Sequence, residues 1–383
     1  MSSAGVLGES PTEAAPTPEP EPRFGAATPL VVIVGIIVVS LVTWWLLGDP
    51  KWSFTNTSQP AIGADLFWVI LAAIWTGFTF GNWPFSKVSQ PLSGVLQVAA
   101  NLAIGFLCVW LTTYVMGSWD PTFSHKTAAG AGDTASAFIV LVGFYAFAFA
   151  SASWGGYPFE KVEGPTSGVA QWFMAAFITV IGVVIFIYPN FNAHLAANAP
   201  LKLVDALGWV YCSIVVLIVA AMLWENWPWA GIGNRHLRAI AAVVATLGGG
   251  LLVYWLLSLV VKAVVPGDIK VLPTFSASQE TAELGVCFSF WGLTWGLVCG
   301  AWPTQYSAAA NRVIRTVIVT VLSILTYVVF MRFLGTKVLH FPALKGNYGG
   351  APLTFMDWLI LVLLWYTVAF GGYGSTRVRR SRR

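Results

Sequence analysis

Glu225 is the acid most out of place in this chain. It occupies a position where related pentapeptides carry glycine: Phe80-Gly81-Asn82-Trp83-Pro84, Trp154-Gly155-Gly156-Tyr157-Pro158, Trp224-Glu225-Asn226-Trp227-Pro228, Cys299-Gly300-Ala301-Trp302-Pro303 and a degenerate Phe370-Gly371-Gly372-Tyr373-Gly374. A carboxylate near the inner end of an apolar helix opposes both the helix dipole and the bilayer, so it persists only if paired or functional. It is read either as a proton-coupling or cation-binding group, or as an ion-pair partner of Arg235 or Arg238. Five further acids, Asp65, Asp133, Asp205, Glu283 (or Glu280) and Asp357, each fall near the start of an apolar stretch. Acids there cap free N–H groups and complement the dipole. If the helices close around an axis, the same acids form an outer ring that enriches cations.

Gln97 and Gln171, at equivalent positions, and Asn101, one turn further on, are amides at membrane depth. They hydrogen-bond neighbouring helices or line a pathway, because polar groups in hydrocarbon must face protein or water. Arg332 is placed to pair with Asp357. No phosphate loop, H-E-x-x-H, Gly-x-Ser-x-Gly or paired histidines on one helix occur, so the sequence predicts no catalytic residue, cofactor or metal. Cys108, Cys212, Cys287 and Cys299 fall in apolar stretches without C-x-x-C spacing and read as small core residues, and the four histidines lie in separate loops.

The elements that must position these groups are membrane helices. Of 383 residues, 57% are hydrophobic and 9% charged, and mean hydropathy is +0.73; a soluble domain carries about a quarter charged residues. The expected class is an all-α polytopic membrane protein with ten spans, near 29–48, 65–82, 92–116, 134–156, 166–188, 206–226, 238–262, 284–302, 312–334 and 353–372. Residues 1–27, with Pro-Glu-Pro-Glu-Pro, read as a disordered cytoplasmic tail without signal-peptide character, and 376–383 as a basic cytoplasmic tail. Lys87, Lys161, Arg235, Arg238, Arg312 and Arg315 follow the even-numbered spans, which puts both termini in the cytoplasm by the positive-inside rule and the chain in the plasma (inner) membrane. The net charge of +4 is a topology signal and predicts no nucleic-acid partner.

The pentapeptides end 74, 70, 75 and 71 residues apart, room for two spans each, so residues 28–375 read as five parallel hairpins, about 28–84, 91–158, 165–228, 237–303 and 311–374, around a pseudo-five-fold axis. In each signature Pro84, Pro158, Pro228 or Pro303 stops the helix and Trp83, Tyr157, Trp227, Trp302 or Tyr373 sits at headgroup level. Gly81, Gly155, Gly300 and Gly371 are expected to admit a neighbouring helix at close range. The signature serves as scaffold, or also as a constriction or docking surface.

In architecture only, five such hairpins resemble the tellurite-resistance and slow anion-channel family, in which hairpins ring a central pore. No signature residue here matches a motif of that family, and outer acids disfavour anions. The functional expectation is a transporter or channel for a small neutral or weakly cationic solute, its path lined by odd-numbered helices carrying Gln97, Asn101 and Gln171. An accessory subunit of a membrane complex is the alternative, with membrane lipid and membrane proteins as partners. An intramembrane enzyme acting on lipid is the third reading.

Overall fold

The computed structural model describes residues 21–22 and 27–377, apart from 56, 58, 160, 163 and 193. Both expected tails lie almost wholly outside the described residues. Ten long helices dominate: α1 (Thr28–Leu47), α2 (Gln59–Thr79), α3 (Leu92–Trp119), α4 (Ala131–Ala152), α5 (Pro165–Phe191), α6 (Leu203–Leu223), α7 (Arg235–Val264), α8 (Ala277–Leu297), α9 (Ala308–Val338) and α10 (Pro352–Ala369). Nine of them, all but α8, are long and apolar enough to cross a membrane among the described residues, which makes this an all-α, multi-pass membrane protein. Four short strands accompany them. β1 (Glu21–Pro22) pairs antiparallel with β4 (Thr376–Arg377), and β2 (Ala343–Lys345) with β3 (Tyr348–Gly349).

Helix starts are set by side-chain caps and prolines. Asn234 Oδ1 accepts from the backbone N–H groups of His236 and Leu237, Ser276 from Gln279 and Ser307 from Ala310; Pro165 and Pro352 open α5 and α10. Polar first turns of this kind escape a hydropathy reading. α2 therefore begins at Gln59 rather than 65 and α8 at Ala277 rather than 284, which moves Asp65 and Glu283 into their helices, whereas Asp133 and Asp205 stay in first turns.

The even-numbered helices end differently from the expectation. Each stops before its signature, and two consecutive residues then turn left-handed: Gly81 and Asn82, Gly155 and Gly156, Glu225 and Asn226, Gly300 and Ala301, Gly371 and Gly372, all with φ between 51° and 83°. A backbone N–H reaches back six residues in every copy, from Asn82 to Thr76 (2.8 Å), Gly156 to Ala150 (3.3 Å), Asn226 to Ala220 (2.7 Å), Ala301 to Trp295 (2.9 Å) and Gly372 to Tyr366 (2.9 Å). Glycine is favoured at the first of these positions because positive φ costs an L-residue roughly 1–2 kcal/mol. Close helix approach is not the cause, since a Cβ built on Gly81, Gly155, Gly300 or Gly371 meets nothing within 4 Å. The peptide bonds before Pro84, Pro158, Pro228 and Pro303 are cis.

Packing sorts the helices into two layers. In α2, α4, α6 and α10 between 56% and 78% of the spanning residues are buried, against 17–28% in α1, α3, α5, α7 and α9. α2 touches α4, α4 touches α6, α6 touches α8, α8 touches α10, and α10 returns to α2. Outside this ring α3 packs on α2, α5 on α4, α7 on α6, α9 on α8 and α1 on α10. α8 is enclosed on several sides, with every residue from Glu280 to Phe290 buried. Its neighbours are α6, α7, α9 and α10.

Glycines elsewhere do admit close approach. A Cβ on Gly105 of α3 falls 2.8 Å from the Val69 backbone nitrogen, and one on Gly250 of α7 lies 2.9 Å from the Ser213 Cα. Indole N–H groups of the inner layer tie it to the outer one: Trp224 to Thr316 Oγ1 (2.8 Å), Trp291 to Thr326 Oγ1 (2.8 Å) and Trp358 to Thr43 Oγ1 (2.9 Å). Thr316 and Thr43 donate their own protons to carbonyls four residues back, leaving a lone pair for the indole.

Gly105→Ala must push α3 off α2 and is expected to cost about 1–3 kcal/mol. Gly35→Ala, on α1 where a Cβ meets nothing within 4 Å, should be neutral or slightly stabilising through helix propensity. Thermal unfolding of the two variants in detergent compares them; equal effects would contradict this account of the packing.

Candidate functional site

A cavity of about 100 Å³ lies inside the ring and receives side chains from all five even-numbered helices. Its wall is mostly apolar, as at Ile74 of α2, Phe144 of α4 and Ile214 of α6. Polar groups are few: Ser151 of α4, Ser289 of α8, and Tyr211 of α6 hydrogen-bonded to Asp357 of α10, its hydroxyl donating to Asp357 Oδ2 at 2.9 Å. Both members of that pair are buried, at 2% and 3% exposure. The expected Arg332–Asp357 pair does not form; Arg332 Nη2 instead reaches the Val264 carbonyl at 3.5 Å. A carboxylate held by one phenol in an apolar wall offers a single acceptor station to an N–H, O–H or cationic group.

The other acids sit toward the same end of the inner helices but face different partners. Asp205 accepts from Ser278 (2.5 Å) and Tyr254 (3.1 Å) of the neighbouring helices. Glu280 accepts from the Tyr327 hydroxyl of α9, and Glu283 from Gln279 Nε2 at 3.2 Å. Asp65 and Asp133 lie within electrostatic reach of each other. Asp65 borders a separate groove of about 850 Å³ between α1, α2, α3 and α10, lined also by Gly35, Ile36, Leu102, Phe106 and Trp358. In the hairpin outside the spans, burial and then the Glu280 charge push the Tyr348 hydroxyl up to about 12.

The amides belong to the outer layer. Gln97 Nε2 donates to Asn82 Oδ1 (2.9 Å) and Thr76 Oγ1 (3.2 Å), and Asn101 Oδ1 accepts from Thr76 (2.8 Å). Gln171 donates to Ser167 (3.1 Å) and lies against the Gly156 turn. Gln97 and Gln171 brace turns, Asn101 ties α3 to α2, and none of the three lines the axial cavity. The odd-numbered helices fail as a lining because they form the outer layer.

Glu225 is held by α9. Arg315 Nη1 donates to Glu225 Oε1 at 3.0 Å and Arg312 Nη2 lies 3.5 Å from Oε2. Arg238, an expected partner, instead donates through Nε and Nη2 to the Ile232 carbonyl. Arg315, 3% exposed, also donates to the carbonyls of Leu223 and Pro303, so one guanidinium joins two successive signatures. Arg312 stacks on Trp227 with 5.3 Å to the ring centroid. The left-handed conformation of Glu225 (φ 56°) is thus compensated by charge-assisted bonds rather than avoided by glycine. Trp83, Trp227, Trp302 and Tyr373 are exposed, and the Tyr157 hydroxyl meets His236 Nδ1 at 2.6 Å.

Arg315 and the phenols of Tyr211 and Tyr327 were not legible as site residues. Arg315 reads as a loop charge until the helix start at Ala308 is known, and tyrosines in apolar runs carry no spacing signal. Protein-family models, curated proteins and solved structures include no match to this chain.

Arg315→Leu is expected to cost about 2–6 kcal/mol, because it leaves the Leu223 and Pro303 carbonyls without their charged donor, while Glu225 keeps Arg312. Glu225→Gln should cost no more than about 1 kcal/mol, its side chain being 63% exposed. Denaturation of both variants measures the asymmetry, and a larger loss for Glu225→Gln is the outcome that overturns it.

Proposed function

We propose that the protein is a transporter or channel for a small neutral or weakly cationic solute, moving along the axis of the inner helices. The observation that carries this reading is the closed order of contacts α2–α4–α6–α8–α10–α2 around a cavity to which all five helices contribute. The Tyr211–Asp357 pair is the polar station on the path. A buried carboxylate without a cationic partner favours donors and positive charge over anions. In this reading α8 is a tenth span, too polar to be recognised by hydropathy because protein rather than lipid surrounds it. The chain is then five parallel hairpins, supported by the shared left-handed turn and six-residue backbone bond after every inner helix. Pairing of β1 with β4 favours an even number of crossings. Basic residues after the inner helices favour cytoplasmic termini in the plasma membrane.

The alternative is an accessory subunit of a membrane complex. The apolar groove of about 850 Å³ beside α1 favours it, as a seat for membrane lipid or a partner helix.

Proteoliposomes test the first reading with methylammonium, urea and glycerol as probes. Flux of at least one of them should exceed protein-free liposomes, fall at least about tenfold in Ala148→Trp, which fills the cavity wall, and change selectivity against methylammonium in Asp357→Asn. Wild-type flux at the background level for all three probes rejects the solute-path reading. For orientation, an impermeant maleimide applied to intact cells should label Lys126→Cys and spare Ser86→Cys; the reverse pattern inverts the topology.

A further inference from the structure

Glu280 and Glu283 lie one turn apart on α8, at 5% and 3% exposure. Neither carboxylate has a cationic partner among the described residues. Glu280 Oε2 accepts from Tyr327 and Glu283 Oε1 from Gln279, but Glu283 Oε2 is buried with no hydrogen-bond partner at all. A carboxylate oxygen in that state loses its hydration without replacement, which disfavours the bare charge, and the neighbouring carboxylate adds repulsion. Solvent cannot screen the pair, because Glu283 is enclosed where α8 meets α6, α7, α9 and α10.

We propose that Glu280 and Glu283 form an intramembrane site for one positive charge, either a proton or an alkali-metal ion, seated on Glu283 Oε2. Two carboxylates with one bound cation carry a net single charge, and the Tyr327 and Gln279 donors spread it. Groups facing the site are few. α9 contributes Tyr327 and, further out, Arg332; β3 contributes Tyr348, within reach of both acids. On α8 itself Cys287 follows one turn on, within electrostatic reach of Glu283 and of Asp357 on α10. α6 and α7 bring Tyr211, bonded to Asp357, and the Asp205–Tyr254 pair. Arg332, within electrostatic reach of Tyr348, donates to the Val264 carbonyl rather than to either acid. The site does not depend on the solute path, so its test is one of binding rather than flux.

The thermal unfolding midpoint of purified protein in detergent is followed in choline chloride, with NaCl or KCl replacing choline at constant ionic strength, and across mildly acid to mildly alkaline pH. Anything that binds the folded state alone raises the midpoint by mass action. An alkali ion on the site raises the wild-type midpoint on replacing choline. A proton on the site instead gives a midpoint that falls as pH rises, without alkali dependence, together with an infrared band of a protonated carboxyl. In Glu283→Gln the response and the band should vanish, and Glu280→Gln should raise the ion or proton concentration needed by about tenfold or more. Asp268→Asn, at an exposed acid paired with Lys345, should respond as wild type. If Glu283→Gln does not fold, Glu280→Gln alone decides. The proposal is overturned if wild type responds to neither variable, if Glu283→Gln keeps the full response, or if Glu280→Gln leaves it unshifted.

Discussion

The turn that ends each inner helix is the constraint on which the rest depends. A helix that stops leaves its last carbonyls unbonded, and here two left-handed residues fold the chain back so that an N–H six residues on satisfies one of them. The geometry fixes the direction in which the chain departs. The next outer helix is laid on the inner helix just completed, α3 on α2, α5 on α4, α7 on α6 and α9 on α8. Side chains of those outer helices then return to brace the turns, as Gln97 does at Asn82 and Arg315 at Leu223 and Glu225.

Between the layers, lipid supplies no hydrophobic force to hold helices together, so packing and hydrogen bonds must do so. Close approach at Gly105 and Gly250 supplies the first, and indole-to-threonine bonds the second. The abundance of tryptophan, 20 residues, thus has a cause inside the fold. α8 takes this furthest. Sheltered by protein, it carries two carboxylates through its first two turns that a lipid-facing helix could not hold.

Much of this was legible in the sequence, and the gaps have physical reasons. Apolar runs revealed the helices because hydrocarbon demands about 20 such residues, and the Trp-Pro signatures marked where inner helices end. The role of the signature glycines was misread: sequence shows that a Cβ is missing, but not whether a neighbour or a backbone angle excludes it. Glu225, Asn226 and Ala301, at φ 51–59°, were the clue, since non-glycine residues there need compensation or tolerance rather than space. The inner and outer layers were interchanged for a related reason. Gln97 and Asn101 are polar and buried, yet they face α2 rather than the axis, and hydropathy carries no direction. Charge partners followed contacts between helices distant in sequence, so Arg315 of α9 holds Glu225 while Arg238 turns to the Ile232 carbonyl.

The closing contacts of the ring join the two ends of the chain. α10 packs on α2 and α1, and beside that seam Asp49, after α1, accepts from His340, after α9, at 2.8 Å. A ribosome delivers the helices in order, so α1 enters the bilayer long before α10 exists. Through most of synthesis the α2 surface destined for α10 faces lipid or an insertion chaperone, and the incomplete ring is open along one side. Completion of the ring therefore waits for the last helix, with α10 acting as keystone for surfaces presented by α1 and α2.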